Sequence, residues 1–313
     1  MGEQKKTTKI YFNEVAGEWF KRAYDPDGKF LTFPTGKVRQ DITISEMKRL
    51  NVKKKVIDLG CGTGQLVIEL LKNGYKTLGI DNAPSMIAEA RQMLLKEFPA
   101  MDGSKVFHVK DVLNLDMEEK SDVITAMGLL EYLENDFAFF KTVKRLLNSG
   151  GYTFIECRNR LFNITSGNQY TLEAADSGDL KKLISQLDRI QKYSPTTTKE
   201  IRKILMDLFS KIGSALINNS DTKIVSQDEI PIVKKYPSTL VRRQHTPEEL
   251  EHVIKRVGLE LKYVIYYHCH PYLPRYEKLF PAIFNRIAFL MQPIGYTQFV
   301  STICSAFVAV IEN

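Results

Sequence analysis

Between residues 56 and 160, short apolar runs of strand length alternate with amphipathic runs of helix length. No other feature limits the fold so strongly. "KVIDLG" reads as a buried strand, "GQLVIELLKNG" as a helix closed by Gly74, and "YKTLGID" as a second strand. "PSMIAEARQMLLKEF" follows as a helix with Pro84 at its start. "KVFHVKD" and "DVITAMGLL" are two further strands, and the helix "FAFFKTVKRLLNSGG" leads into a fifth, "YTFIECRN". Strands separated by helices of this length require right-handed crossovers, which predicts a doubly wound α/β domain: a parallel sheet with helices on both faces. At roughly 100–200 residues per domain, the 313 residues suit one large domain or one carrying an inserted module.

In such a sheet, ligands bind beyond the carboxyl ends of the strands, and the first strand-to-helix turn is the usual place. Gly60, Gly62 and Gly64 sit on that turn, where glycine permits positive φ and a ligand can approach the backbone and a helix N-terminus. Asp81 ends the second strand, 21 residues after Gly60, where a carboxylate can accept two ribose hydroxyls. A dinucleotide fingerprint needs G-x-G-x-x-G, but its last position is Gln65 here. The pattern is G-x-G-x-G preceded by Asp58, which argues against a nicotinamide dehydrogenase.

The stretch "VIDLGCGTGQL", followed in order by "GIDNAPSMIAEAR", "VKDVLNL" and "LLNSGGYTFIE", resembles the class I S-adenosylmethionine-dependent methyltransferases of small-molecule type, over about residues 56–160. The resemblance implies a seven-stranded Rossmann-like sheet whose last strand is antiparallel, with S-adenosyl-L-methionine as cofactor. It also assigns roles. Asp58 would orient the glycine loop and the cofactor's ammonium, and Gly60, Cys61, Gly62 and Gly64 would wall the methionyl moiety. Asp81, with Asn82 beside it, would bind the ribose, and Met86 would pack on the adenine. Asp111 and the Val112 amide would meet the adenine edge, and Met127 would line the sulfonium side. Met86 also reads as plain helix core and Asp111 as a helix cap. In the aromatic N-terminal stretch, Tyr11 and Arg39 match a lid arm that closes over the methyl group and meets the cofactor carboxylate. Trp19 is expected to pack that lid onto the core.

The organisation expected is a lid arm over 1–55, the cofactor half of the core over 56–159, a helical cap insertion over 160–245 and the rest of the core over 246–313. In the cap, "SGDLKKLISQLDRIQKY" and "SPTTTKEIRKILMDLFSKIGSALI" have helical patterns. After it, "TPEELEHVIKRVGLEL" is a helix with Thr246 as N-cap, Pro247 at N1 and Glu249 at N3. "KYVIYYHCH" and "SAFVAVIE" read as strands six and seven. Between them lies a second insertion with an apolar helix over about 275–291, which reads as core packing or as a lipid-contacting surface.

Methyl transfer is an in-line displacement, so alignment of the acceptor is the main requirement, and a base is needed only for an acceptor that must lose a proton. His268, His270 and Tyr11 are the candidate bases. Glu131 and Tyr132 after the fourth strand, Arg158 and Asn159 after the fifth, and His245 are candidate acceptor-binding residues. The relatives' frequent histidine at the Tyr132 position is absent here. The pair at 268 and 270 could suggest a metal, but no nearby carboxylate completes a ligand set, so none is expected.

The net charge of +7 is uneven. Residues 1–55 carry 13 Lys/Arg against 7 Asp/Glu, residues 56–150 carry 10 against 14, and the remaining excess lies further on. Basic flanks around an acidic centre favour a phosphorylated acceptor such as a nucleotide-linked sugar. The expected activity is methylation of an oxygen, or secondarily a nitrogen, of a small molecule. The alternative is a membrane-peripheral quinol or lipid methyltransferase, with peripheral lipid contact. A non-enzymatic cofactor-binding protein is disfavoured by the intact Asp58, Asp81 and Asp111, and a nucleic-acid partner by scattered basic residues without an RNA-binding module. The four separated cysteines, the polar start and the lack of a spanning apolar run suggest a reduced, cytoplasmic protein.

Overall fold

The computed structural model describes residues 3–197, 200, 201, 203, 204, 206–208 and 240–313. Two helices precede the sheet, α1 (Glu3–Tyr24) and α2 (Thr35–Arg49). The alternation read from the sequence then appears as β1 (Lys55–Leu59), α3 (Gln65–Lys72), β2 (Lys76–Asp81), α4 (Pro84–Glu97), a short α5 (Gly103–Val106), β3 (Phe107–Val109), β4 (Ser121–Ala126), α6 (Asp136–Leu146) and β5 (Leu147–Arg158). Beyond it come α7 (Gln169–Asp176), α8 (Asp179–Gln186), α9 (Pro247–Arg256), β6 (Glu260–Cys269), α10 (Pro281–Leu290) and β7 (Cys304–Glu312).

The strand order is β3-β2-β1-β4-β5-β7-β6. β1 to β5 run parallel, and β7 pairs antiparallel with both β5 and β6, as the resemblance implies. The chain reverses its lateral direction between β1 and β4, so the switch-point crevice opens there. Strand residues alternate between two helix layers. Ile57, Ile124, Ile155 and Phe307 pack under α6, α8 and α9, while Val56, Val123, Phe154 and Val308 pack under α2 and α3. Full burial of each such side chain stabilises the fold by about 1.5–3 kcal/mol, which holds both layers on one sheet.

Local signals set the boundaries. Thr246 and Glu249 form the expected capping box at α9, with Glu249 N–H to Thr246 Oγ1 at 3.1 Å and Thr246 N–H to Glu249 Oε2 at 2.9 Å. Such a cap contributes about 1 kcal/mol. The apolar helix expected over 275–291 is shorter, because Pro281 starts α10 and the chain before it makes only a 3₁₀ turn at Pro274–Tyr276.

The described part of the first insertion docks beside α9. Arg160 pairs with Asp179 and Glu249, Arg189 with Glu248, and Lys192 with Glu251. Leu183, Ile190 and Tyr193 join the main core. The second helix expected there runs largely outside the described residues.

The reading of four unpaired cysteines needs correction. Cys269 and Cys304, 35 residues apart, are brought face to face by the antiparallel register of β6 and β7 and form a disulfide. Cys61 and Cys157 are free and buried. No helix of the described residues is long and apolar enough to cross a membrane.

Two glycines separate packing from propensity. A Cβ on Gly295 would lie 1.9 Å from the Tyr266 backbone oxygen, and a backbone atom cannot swing aside. Gly17, exposed in α1, has nothing within 4 Å of that position. Gly295→Ala is expected to destabilise by at least about 1–3 kcal/mol. Gly17→Ala should stabilise by up to about 1 kcal/mol. Thermal melts of the two variants check this opposite pair of signs.

Candidate active site

A cleft of about 1130 Å³, open solvent at its mouth included, lies over the carboxyl ends of β1, β2 and β4. Its floor is the turn after β1. Gly60, Gly62 and Gly64 have φ of +73°, +52° and +82°; Gly60 and Gly62 line the cleft, whereas Gly64, expected to join that wall, backs onto Phe107 and Ala90 instead. The Gly60 and Cys61 N–H groups donate to Ile80 O at 2.7 and 3.0 Å, which locks the turn to β2. Asp81 locks it a second time. Its Oδ2 accepts from Gly62 N–H and its Oδ1 from Ala83 N–H, both at 2.9 Å. Asp81 thus holds the loop and still has lone pairs facing the cleft.

Two cleft carboxyls are poorly compensated. Burial pushes Asp58 up to about 7, against the opposing effects of a 2.7 Å hydrogen bond from Thr125 and of the nearby Arg39. Burial raises Asp81 too, partly offset by its backbone N–H donors. A buried carboxyl in that condition gains most from a ligand that brings a cation or hydroxyl donors. A nucleoside cofactor carrying an ammonium and a ribose meets that requirement, so the residues present fit the implied group.

Met86, Asn82, Asp111, Val112 and Met127 all line the cleft. Asp111 also caps the following turn through Leu113 N–H and pairs with Lys5 of α1. Both readings of that residue therefore hold in geometry. Arg39 lines the cleft beside Gly128, with its Nη1 3.5 Å from Glu156 Oε2.

The arm contributes differently from the sequence expectation. Tyr11 is 1% exposed, packed with Val15, Ala16, Ala83, Met86 and Tyr132, and its hydroxyl accepts from Arg22 at 3.1 Å. Phe12, one residue on, is the ring that lines the cleft, edge-on to Trp19 and to Tyr132. Lys5, Thr8, Trp19 and Tyr24 join it there. Sequence reasoning missed most of these. The signal was the helical spacing of 5, 8, 12 and 19, which places them on one face of α1.

Of the candidate acceptor residues, only Tyr132 lines this cleft. Asn159 is fully buried and donates to Ser301 O and Cys304 O, a structural tie. His245 faces Asp136 at 2.9 Å, and its backbone bridges to Asn159. His268 and His270 do come together, at 4.4 Å between ring centroids. They form a column with Phe33 stacked on His268 and Phe162 on His270. His268 takes φ +55°, uncommon for a side-chain-bearing residue, so the strand twists at this point. Burial holds both imidazoles neutral, with His270 down to about 4. Glu131 lies between Tyr132 and the end of β5, 3.7 Å from Arg158. Among the described residues, no group of three His, Cys, Asp or Glu side chains is arranged to hold a metal ion.

A family model described as a methyltransferase domain matches residues 50–208. A ubiquinone biosynthesis O-methyltransferase of Pseudomonas fluorescens is 29% identical over 164 residues, covering 49% of this chain and 69% of that protein. A protein of the same name from Pseudomonas aeruginosa is 30% identical over 185 residues, covering 56% and 78%. Magnesium protoporphyrin IX methyltransferase from Synechocystis, solved with bound S-adenosylhomocysteine, superposes with a TM-score of 0.52 over 99% of both chains at 13% identity, a likeness of fold.

Because Asp58 must be ionised to meet an ammonium, affinity for S-adenosylhomocysteine should rise with pH through about 7. Calorimetry between pH 5.5 and 7 follows this below the titration of α-amino groups, near about 7.7–8.0. Asp58→Asn should weaken binding and flatten the dependence. Asp81→Ala should cost roughly 10- to 100-fold in affinity, because hydrogen bonds to a charged group are lost. Unchanged affinity in both variants would remove these carboxylates from the cofactor site.

Proposed function

The chain belongs to the methyltransferase-domain family and is a class I S-adenosylmethionine-dependent methyltransferase, and from that premise we propose that it methylates a ring hydroxyl of a neutral, quinol-type small molecule. The observation that carries this is the aromatic wall of the cleft, where Phe12, Trp19 and Tyr132 stand together. Neutral rings suit a planar apolar acceptor and give a phosphate no cation. The relatives named for O-methylation in ubiquinone biosynthesis support the same acceptor class. The phosphorylated sugar suggested by the charge distribution has less support.

S-adenosylmethionine supplies an electrophilic methyl group when bound. The chain's own residues orient and enclose it. Asp58 takes the ammonium and Arg39 the carboxylate, with Arg39 fixed in place by Glu156. Asp81 takes the ribose hydroxyls while holding Gly62 against the methionyl end. Met86, Asp111 and Val112 surround the adenine position, and Met127 lies on the sulfonium side. Phe12, Trp19 and Tyr132 form an aromatic lid that excludes water, which favours an in-line displacement sensitive to alignment.

A peripheral membrane contact is a second reading, favoured by the second insertion. Tyr272, Leu279, Phe280 and Ile283 are 63%, 59%, 55% and 42% exposed, and Arg275 and Lys278 are exposed among them. Apolar side chains beside basic ones suit an anionic lipid surface.

Two measurements test the pair of readings. With methyl-labelled cofactor, a panel of catechols and hydroquinones with and without alkyl tails should yield O-methyl products, and sugar phosphates should not. Methylation of sugar phosphates alone would overturn the acceptor class. In co-sedimentation with phosphatidylethanolamine–phosphatidylglycerol vesicles, the wild type should pellet and Leu279→Asp/Phe280→Asp should remain in the supernatant. Equal partitioning of the two would remove the membrane surface.

A further inference from the structure

We propose that Glu131 is the catalytic base, the group that takes the acceptor's hydroxyl proton, and that Arg158 is its positioning counter-ion. The proposal rests on the hydroxyl-acceptor reading above. Position is the first reason. Glu131 follows β4, whose carboxyl end flanks the switch point beside β1, and its chain neighbours Leu129, Tyr132 and Leu133 all line the cofactor cleft. His268 and His270 end β6, the outermost strand, with β5 and β7 between it and β4. Their rings are closed off on either side by Phe33 and Phe162.

Unmet hydrogen-bonding capacity is the second reason. Glu131 Oε2 is buried and accepts no hydrogen bond, and Arg158 Nε is buried and donates none, although the two side chains approach to 3.7 Å. Buried polar atoms are nearly always satisfied, so an orphan acceptor beside an orphan donor, directly behind the cleft wall formed by Leu129, Tyr132 and Leu133, marks a place for a ligand group that is both donor and acceptor. A hydroxyl is such a group. Its O–H can donate to Glu131 Oε2 while its oxygen accepts from Arg158 Nε–H.

The proton affinity of Glu131 agrees with this geometry. Burial raises its carboxyl to about 7. Arg158, Arg242 and Arg39 oppose the rise, Glu156 adds to it, and Tyr267 and Cys157 also face the group. A base is most effective when its pKa lies near the working pH, and His270 at about 4 is too weak for that task. The step balances. The hydroxyl oxygen bonds to the methyl carbon as that carbon's bond to sulfur breaks, the bonding pair stays on sulfur, and the hydroxyl proton passes to Glu131 Oε2. The active form is the carboxylate, so turnover should be low below about pH 7 and rise to a plateau above it.

The test uses the whole 313-residue chain with catechol and 4-methylcatechol as probes at saturating cofactor. Glu131→Gln should lower kcat by roughly 10²–10⁴-fold and abolish the acid limb, with S-adenosylhomocysteine affinity unchanged within about threefold. Glu131→Asp should keep the limb at a reduced rate. An infrared titration of the S-adenosylhomocysteine complex supplies a readout without turnover: the wild-type spectrum minus that of Glu131→Gln, in which Asp58 and Asp81 cancel, should show a protonated-carboxyl band that vanishes as pH rises through about 7. A Glu131→Gln enzyme with near-normal kcat and a full acid limb overturns the proposal. So does an infrared band unchanged by the substitution. If no hydroxylated ring is methylated by the wild type, the acceptor reading fails, and the infrared titration still decides whether Glu131 carries the proton.

Discussion

The site depends on one carboxylate doing two jobs. Asp81 accepts from Gly62 N–H and Ala83 N–H, tying the glycine turn after β1 to the start of α4. Without those bonds, three glycines in the left-handed region would be free to relax, since glycine has the widest conformational choice of any residue. The same side chain lines the cleft, so the loop's rigidity and the chemistry offered to a ligand come from one residue. Asp58, on the adjoining strand, is buried with its carboxyl raised to about 7, and a cation beside it would stabilise the charged form. Ligand and fold are therefore coupled. A cation bound beside the Asp58 carboxylate would offset its desolvation.

The core was legible because each of its signals is local. Strand-length and helix-length runs between residues 56 and 160 set the crossovers, and Thr246, Pro247 and Glu249 marked α9 within a residue. Cleft residues at strand ends were legible too, because a strand end has a fixed relation to the switch point. What could not be read were pairings decided by tertiary packing. Whether Tyr11 or Phe12 faces the cleft depends on the angle at which α1 docks on α4, and one residue of helix rotates a side chain by about 100°. The bond between Cys269 and Cys304 depends on β6–β7 register, which no spacing rule encodes. His245 and Asn159 looked like acceptor residues because they stand at strand ends, but each is occupied in holding the chain, one by Asp136 and the other by carbonyls near β7.

Charge follows the same division. The acidic middle of the sequence supplies the carboxylates that line the cleft, whereas Arg160, Arg189 and Lys192 of the insertion are engaged by surface pairs along α9. Exposed pairs of that kind contribute roughly 0–1 kcal/mol each and leave little field to steer an anion. Overall charge therefore carries little weight for the acceptor beside the aromatic rings that line the cleft.

The ion pair between Lys5 and Asp111 has a bearing on traffic through the cleft. Lys5 is near one end of a 22-residue helix, and Tyr24, at the other end, also borders the cavity. A continuous helix moves as a bar, so its two ends are released together. The chain after it bends at Asp25 and Phe30, both at positive φ, which gives the bar a pivot. A ligand that enters or leaves beneath α1 therefore has to displace side chains at both ends of one helix.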